Sequence, residues 1–143
     1  MTFTADQRVL LAEARRATLA TIGDDGRPRL MPICFVVVDD VVWSPLDEKP
    51  KAVRDVRGLA RVRDIMARPD VSLLVDRWSE DWSELAWLRI GGRATVVEPD
   101  DVPPAVITAL RAKHPQYRDH DLEHRPALRI EVANTAGWPA REG

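Results

Sequence analysis

Ala17-Thr18-Leu19-Ala20-Thr21-Ile22, the turn Gly23-Asp24-Asp25-Gly26, the run from Arg29 to Val38, Asp39-Asp40 and Val41-Val42-Trp43 form the stretch that decides the fold. The first segment reads as a strand. Glycines and aspartates supply the conformations that a tight reversal needs. Arg29 to Val38 reads as one long, mostly apolar second strand, and Asp39-Asp40 is a two-residue hairpin link into a third. The stretch is therefore expected to form a three-strand meander.

Upstream, Thr4 can cap a helix, with Gln7 as the reciprocal partner, and Val9, Leu10 and Ala14 mark its apolar face through Arg16. Downstream, Ser44 to Lys51 is a polar loop carrying two prolines. Leu59, Val62, Ile65 and Met66 recur at helical spacing until Pro69 closes the helix. Val71 to Val75 is a short buried strand, and Trp78 to Glu84 a tryptophan-rich acidic loop. Ala86 to Val97 is a long strand whose Gly91-Gly92 suggests a bulge or a close approach. Asp101 can cap a further helix with Pro103 in its first turn and His114-Pro115 at its end. Ala127 to Val132 is the last strand, and the tail from Asn134 is expected to be loose. The order α-β-β-β-α-β-β-α-β, with mainly antiparallel neighbours, favours an α+β fold. The expected form is a small barrel of about six strands decorated by helices, with residues 1–143 as one domain.

Composition narrows the function. The 143 residues are 45% hydrophobic and 31% charged, with a formal net charge of −2. That balance argues against bulk attraction to nucleic acid or to an acidic membrane. One cysteine, Cys34, allows neither an intramolecular disulfide nor a Cys-x-x-Cys site. Its place in an apolar run suggests an inert small hydrophobe. The longest apolar run, Ile33 to Val38, is too short to cross a membrane, and the N-terminus has no basic start with an apolar core. A cytoplasmic protein is the expectation.

Three features could carry chemistry. Lys49 to Arg63 holds six cations, Lys49, Lys51, Arg54, Arg57, Arg61 and Arg63, with Asp55 as the only acid among them. This is either a solvated charged surface or a cradle for an anion, and Pro50 between two lysines limits the positions of their ammonium groups. The chain has five tryptophans against two Phe and one Tyr. Trp43 reads as core, whereas Trp78 and Trp82 read as core, as a dimer contact or as a contact to a planar ligand. His114, His120 and His124 fall in one loop after the last helix, at spacings that are weak evidence for a metal, so none is expected. No Gly-x-Ser-x-Gly elbow, Walker loop or dinucleotide fingerprint is present. An enzyme of this kind would leave the chemistry to a cofactor that the protein binds and orients.

Several segments in order carry a resemblance. Ala17-Thr18-Leu19-Ala20-Thr21, Gly26-Arg27-Pro28-Arg29 and Met31-Pro32 resemble the opening hairpin of the pyridoxamine-phosphate-oxidase-like split barrels. Trp43-Ser44-Pro45 with Lys49-Pro50-Lys51 is similar to the phosphate-binding region of the branch that uses the deazaflavin F420. Arg61-Val62-Arg63-Asp64-Ile65, Arg68-Pro69-Asp70-Val71-Ser72-Leu73, Asp81-Trp82 and Trp87 to Ala94 continue it, with Asp64 where the family usually has Asn.

The resemblance, over about residues 5 to 132, implies a homodimer with two cofactor sites at its interface. One chain's strands and basic segment would hold the cofactor, and the partner's tryptophan loop and later strand would cover it. Pro32, Ile33 and Cys34 would run along the ring system. Ser44, Lys49, Lys51, Arg57 and Arg61 would bind phosphate or an acidic tail, and Trp82 and Trp87 would line the pocket. Six cations exceed what the single phosphate of FMN requires and suit the phosphodiester and glutamate tail of F420, since each exposed charge pair contributes only about 0.2–1 kcal/mol. The implied activity is hydride transfer between F420 and a small unsaturated or quinone-like acceptor. The alternatives are an FMN enzyme, a non-catalytic cofactor carrier, or an interaction module whose basic strip docks an acidic protein.

Overall fold

The expected long second strand breaks at Cys34-Phe35, and the break determines the architecture. The computed structural model describes residues 2–46 and 59–139. Its elements are α1 (Ala5–Glu13), β1 (Ala17–Ile22), β2 (Pro28–Ile33), β3 (Val36–Val38), β4 (Val41–Pro45), α2 (Ala60–Ala67), β5 (Asp70–Arg77), β6 (Ala86–Val97), α3 (Pro104–Lys113) and β7 (Ala127–Trp138). The strands form one antiparallel sheet in the order β2-β1-β5-β6-β7-β4-β3. β2 and β3, neighbours in sequence, are thus the two edges of the sheet. Three peptide steps from Ile33 to Val36 span at most about 10 Å. A flat seven-stranded sheet would separate its edges by about 29 Å, at the usual strand spacing. The sheet must therefore curl until its edges approach, and the result is a split β-barrel. The meander is corrected accordingly: among the described residues β2 pairs with β1 alone, from Ala17↔Ile33 to Ile22↔Pro28, while β3 pairs with β4.

Local chemistry explains each element. Thr4 and Gln7 form the expected capping box, with Thr4 Oγ1 accepting from Gln7 N (3.2 Å) and Gln7 Oε1 from Thr4 N (2.9 Å). Asp39 and Asp40 take positive φ values of 53° and 60°, as a two-residue hairpin requires, and Arg8 of α1 pairs with Asp40 at 2.8 Å. Between β6 and β7 the register shifts at Gly91/Gly92. A Cβ on Gly92 would lie 2.3 Å from the Glu131 carbonyl oxygen, so the bulge needs glycine there.

Among the expected boundaries, the start of α3 and the end of β7 move for clear physical reasons. Pro99–Asp101 form a short 3-10 turn and Pro103 takes the cap position of α3, because a proline at the start of a helix loses no hydrogen bond that the helix needs. β7 runs on to Trp138 instead of loosening at Asn134. The first half of the twelve-residue β6 offers a free ladder, and residues 134–138 satisfy it from Gly91↔Asn134 to Trp87↔Trp138.

The barrel interior is filled by Leu19, Phe35, Val42, Leu46, Leu73, Leu88, Leu128 and Ile130, all at most 1% exposed. Val62 and Ile65 of α2 and Leu10 and Leu11 of α1 complete it. A second cluster joins Val106 and Leu110 of α3 to Val36 and Trp43 on the outside of β3 and β4. Asp64 of α2 is 6% exposed and accepts hydrogen bonds from Thr21 Oγ1 (2.7 Å) and Arg29 Nε (2.9 Å). It ties α2 to β1 and β2. Loss of the carboxylate leaves the buried Thr21 hydroxyl and the Arg29 guanidinium without their acceptor. Urea unfolding of Asp64→Ala is expected to show a loss of about 2–3 kcal/mol, and Asp64→Asn, which keeps an acceptor for Thr21, a smaller one. An alanine variant as stable as the parent would refute this role.

Candidate functional site

A chain that leaves one sheet edge for the other abandons its ladder partners, and its polar groups need others. At the break, Ser44 Oγ donates to the Cys34 carbonyl at 2.8 Å. His114, at the end of α3, donates from Nε2 to the Phe35 carbonyl at 3.0 Å. Phe35 itself is fully buried. His114 is 2% exposed and packs edge-on against Tyr117. Burial pushes its pKa below the usual 6.5, against the opposing pull of the Phe35 carbonyl, so the ring stays neutral at physiological pH. These contacts fix the backbone of Ile33, Cys34 and Phe35 without help from a ligand. Ser44 and Cys34, two of the expected site residues, are thereby brought together, with the Ser44 hydroxyl directed at backbone.

The outside of the sheet is divided. α3 covers β3 and β4 through the second cluster. Over β2, β1, β5 and β6 no helix among the described residues covers the outer face. Register aligns Pro32, Thr18, Leu74, Arg89 and Ala136 across five strands, and beside them Leu30, Ala20, Ser72, Gly91 and Asn134. Leu30 is 68% exposed and Leu74 42%. Small residues between such apolar side chains make a flat surface suited to a planar group. Pro32 lies on this face, while Ile33 points inward. Trp87 shares the face two residues beyond the Pro32 row, about 14 Å across three strand spacings. Trp87 faces Trp138 across the ladder, and the Arg89 guanidinium lies 5.9 Å from its ring.

Trp82 extends from the β5–β6 loop. Ser83 N and Oγ both donate to Asp81 Oδ1 (3.0 and 2.7 Å), Glu84 N donates to the Asp81 carbonyl (2.9 Å), and Arg77 Nε donates to the Glu84 carbonyl (2.7 Å). The two Ser83 bonds hold the Asp81 carboxyl below its usual range. The loop is thus closed by its own bonds. It presents Trp78 and Trp82 at 71% and 75% exposure, which rules out the core reading for both. Trp43 is core, as expected.

Among the remaining expected site residues, Arg61 is half-buried on α2 beside the exposed Arg63. Lys49, Lys51 and Arg57 lie outside the described residues. Cys34 sits at the break instead of within a strand, half-buried, with Gln116 Nε2 3.6 Å from its Sγ. The three histidines do not share a loop: His114 is buried at the end of α3, and His120 and His124 follow on the surface. No group of three His, Cys, Asp or Glu side chains among the described residues is placed to hold a metal. Sequence reasoning missed Asp64 and His114 as organisers. The signal for Asp64 was its place beside Val62 and Ile65 on the apolar side of α2.

The family model described as pyridoxamine 5'-phosphate oxidase matches residues 3–138. A conserved hypothetical protein from Mycobacterium tuberculosis superposes with a TM-score of 0.74 at 22% identity, covering 96% of this chain and 85% of that one. The heme storage protein HutZ from Vibrio cholerae gives 0.72 at 17% identity, covering 96% and 94%. A structure named as an F420 reductase gives 0.65 at 18% identity, covering 90% and 94%. No curated protein matches the sequence.

The burial of neutral His114 has a pH signature. Its folded pKa lies below its unfolded value, so the unfolded chain binds the extra proton first, and stability falls as pH drops through and below 6.5. Denaturant midpoints between about pH 7.5 and about pH 5.5 are expected to fall more in the parent than in His114→Gln, which keeps a donor for the Phe35 carbonyl but does not titrate. Equal pH dependence in the two proteins would contradict the assignment.

Proposed function

The chain belongs to the pyridoxamine 5'-phosphate oxidase family, and on that premise we propose that it binds the deazaflavin F420 at a two-fold interface and transfers hydride between it and a small unsaturated or quinone-like acceptor. The observation that carries this reading is the adjacency, along the chain, of an apolar face and a dense run of cations. The six cations of Lys49 to Arg63 begin after β4 and end within α2, which Asp64 ties to β1 and β2. The donor chemistry fits: a strip of small residues flanked by the exposed Leu30 and Leu74 for a ring system, and more positive charge than one phosphate needs. The F420 reductase with the same fold supports the choice of cofactor over FMN.

In this reading Pro32, Ile33 and Cys34 run along the ring, held by the bonds that Ser44 and His114 make to the break. Lys49, Lys51, Arg57 and Arg61 take the phosphodiester and acidic tail. Trp82 and Trp87 of a second copy cover the ring, exclude water and complete the pocket. When bound, the deazaflavin supplies the hydride; the protein supplies orientation and a dry surface. Turnover of reduced F420 with a panel of acceptors separates an enzyme from a carrier.

Two outcomes follow. The exposed Leu30, Leu74, Trp82 and Trp138 call for an apolar partner, so light scattering at micromolar concentration is expected to give the mass of a dimer. A stable monomer would defeat the shared site. Lys49→Ala combined with Lys51→Ala is expected to weaken F420 binding tenfold or more, about 1.4 kcal/mol, with little change in fold stability. Parent affinity for F420 falls as salt rises, because partly exposed ion pairs are screened. Equal affinity of parent and variant at low and high salt would remove the basic loop from the site, and tighter binding of FMN than of F420 would reverse the cofactor choice.

A further inference from the structure

A concavity lies where α1, β3 and α3 meet. Its volume is about 590 Å³, within the range of small-molecule sites. It shares no lining residue with the outer face of β2, β1, β5 and β6. Its apolar walls include Leu11, Val36 and Ala109, and its cationic groups are Arg8, Arg15 and Lys113.

The charges there are unbalanced. Arg8 pairs with Asp40 at 2.8 Å. Arg15 Nη1 instead donates to the Lys113 carbonyl at 2.7 Å. Lys113 Nζ donates to the Leu11 carbonyl at 2.8 Å and sits 3.8 Å from the centre of the Phe35 ring. Among the described residues no carboxylate pairs with Arg15 or Lys113. The Lys113 ammonium is pushed down to about 8, first by burial and then by the Arg15 charge, with Cys34 opposing. Folding has thus gathered two cations at a partly desolvated, apolar-walled pocket without supplying their counter-ion. The Lys113 ammonium has three protons, one of them on the Leu11 carbonyl, and the Arg15 guanidinium keeps further N–H groups for an acceptor.

We propose that this pocket binds a small amphipathic carboxylate, its apolar body against Leu11, Val36 and Ala109 and its carboxylate between Arg15 and Lys113. A carboxylate offers two oxygens to two adjacent cations, and a hydrocarbon or aryl body matches the walls. The site stands apart from the cofactor reading and does not require it.

Calorimetric titration of the full chain with decanoate, with decanamide as the neutral control, tests the assignment. One decanoate is expected per chain, with decanamide roughly tenfold weaker or worse. Lys113→Met keeps the apolar stem and Arg15→Gln alters an exposed group; each is expected to weaken decanoate roughly fivefold or more. Ala112→Phe leaves every charge in place and fills the pocket from α3, so it is expected to abolish binding. Thermal melts establish that each variant is folded, and Arg15→Gln alone decides the matter if Lys113→Met is not. Equal binding of decanamide and decanoate, unchanged affinity in Arg15→Gln, unchanged affinity in Ala112→Phe, or no binding up to about 1 mM decanoate would each overturn the proposal.

Discussion

Only Cys34 and Phe35 separate Ile33, on one edge of the sheet, from Val36, on the other. Because two residues cannot cross the width of a flat sheet, this short link forces the curl that makes the barrel. Much else is arranged around it. Phe35 turns inward and is fully buried in the core. Ser44 and His114 take the two carbonyls that the break removes from the ladder. His114 is in place because α3 packs over β3 and β4, and Lys113, its neighbour, rests on the Phe35 ring.

The same constraint divides the outer surface of the sheet. The helix that satisfies the break also covers the outer side of β3 and β4, and among the described residues no helix covers the outer side of β2, β1, β5 and β6. Leu30 and Leu74 are exposed on that face, and the self-bonded β5–β6 loop holds Trp82 out beyond it. These hydrophobic side chains are carried on rigid strands and on a loop fixed by its own hydrogen bonds. Asp64 adds the last link by tying the helix at the end of the cationic run to the two strands at the edge of that face.

Period and turn chemistry made most of the fold legible in the sequence. The bounds of β1 and β6, the aspartate hairpin, the Thr4 capping box and the glycine bulge all follow from local signals that the tertiary structure obeys. The break at Cys34-Phe35 was hidden because Ile33 to Val38 is uniformly apolar, and both halves are strand. Only pairing, a long-range property, distinguishes one strand from two. The end of β7 was hidden for the opposite reason: residues 134–138 carry little apolar pattern and become strand because β6 needs a partner. The candidate site was read from composition, through the cations and tryptophans, and the residues that organise the backbone beside it were not legible there. Asp64 acts through two side-chain hydrogen bonds and His114 through one, and no periodicity announces those.

The central claim is that one cofactor site is completed by two chains, the basic segment of one and the tryptophans of the other. Subunit mixing tests it most directly. A Lys49→Ala, Lys51→Ala chain and a Trp82→Ala, Trp87→Ala chain should each bind F420 weakly on their own. Dissociated and reassembled together, they form mixed dimers in which one site has both lysines and both tryptophans intact. The account predicts that mixing restores parental F420 affinity, by cofactor fluorescence, at one site per mixed dimer. Mixed dimers that form but bind no better than either variant alone would contradict it.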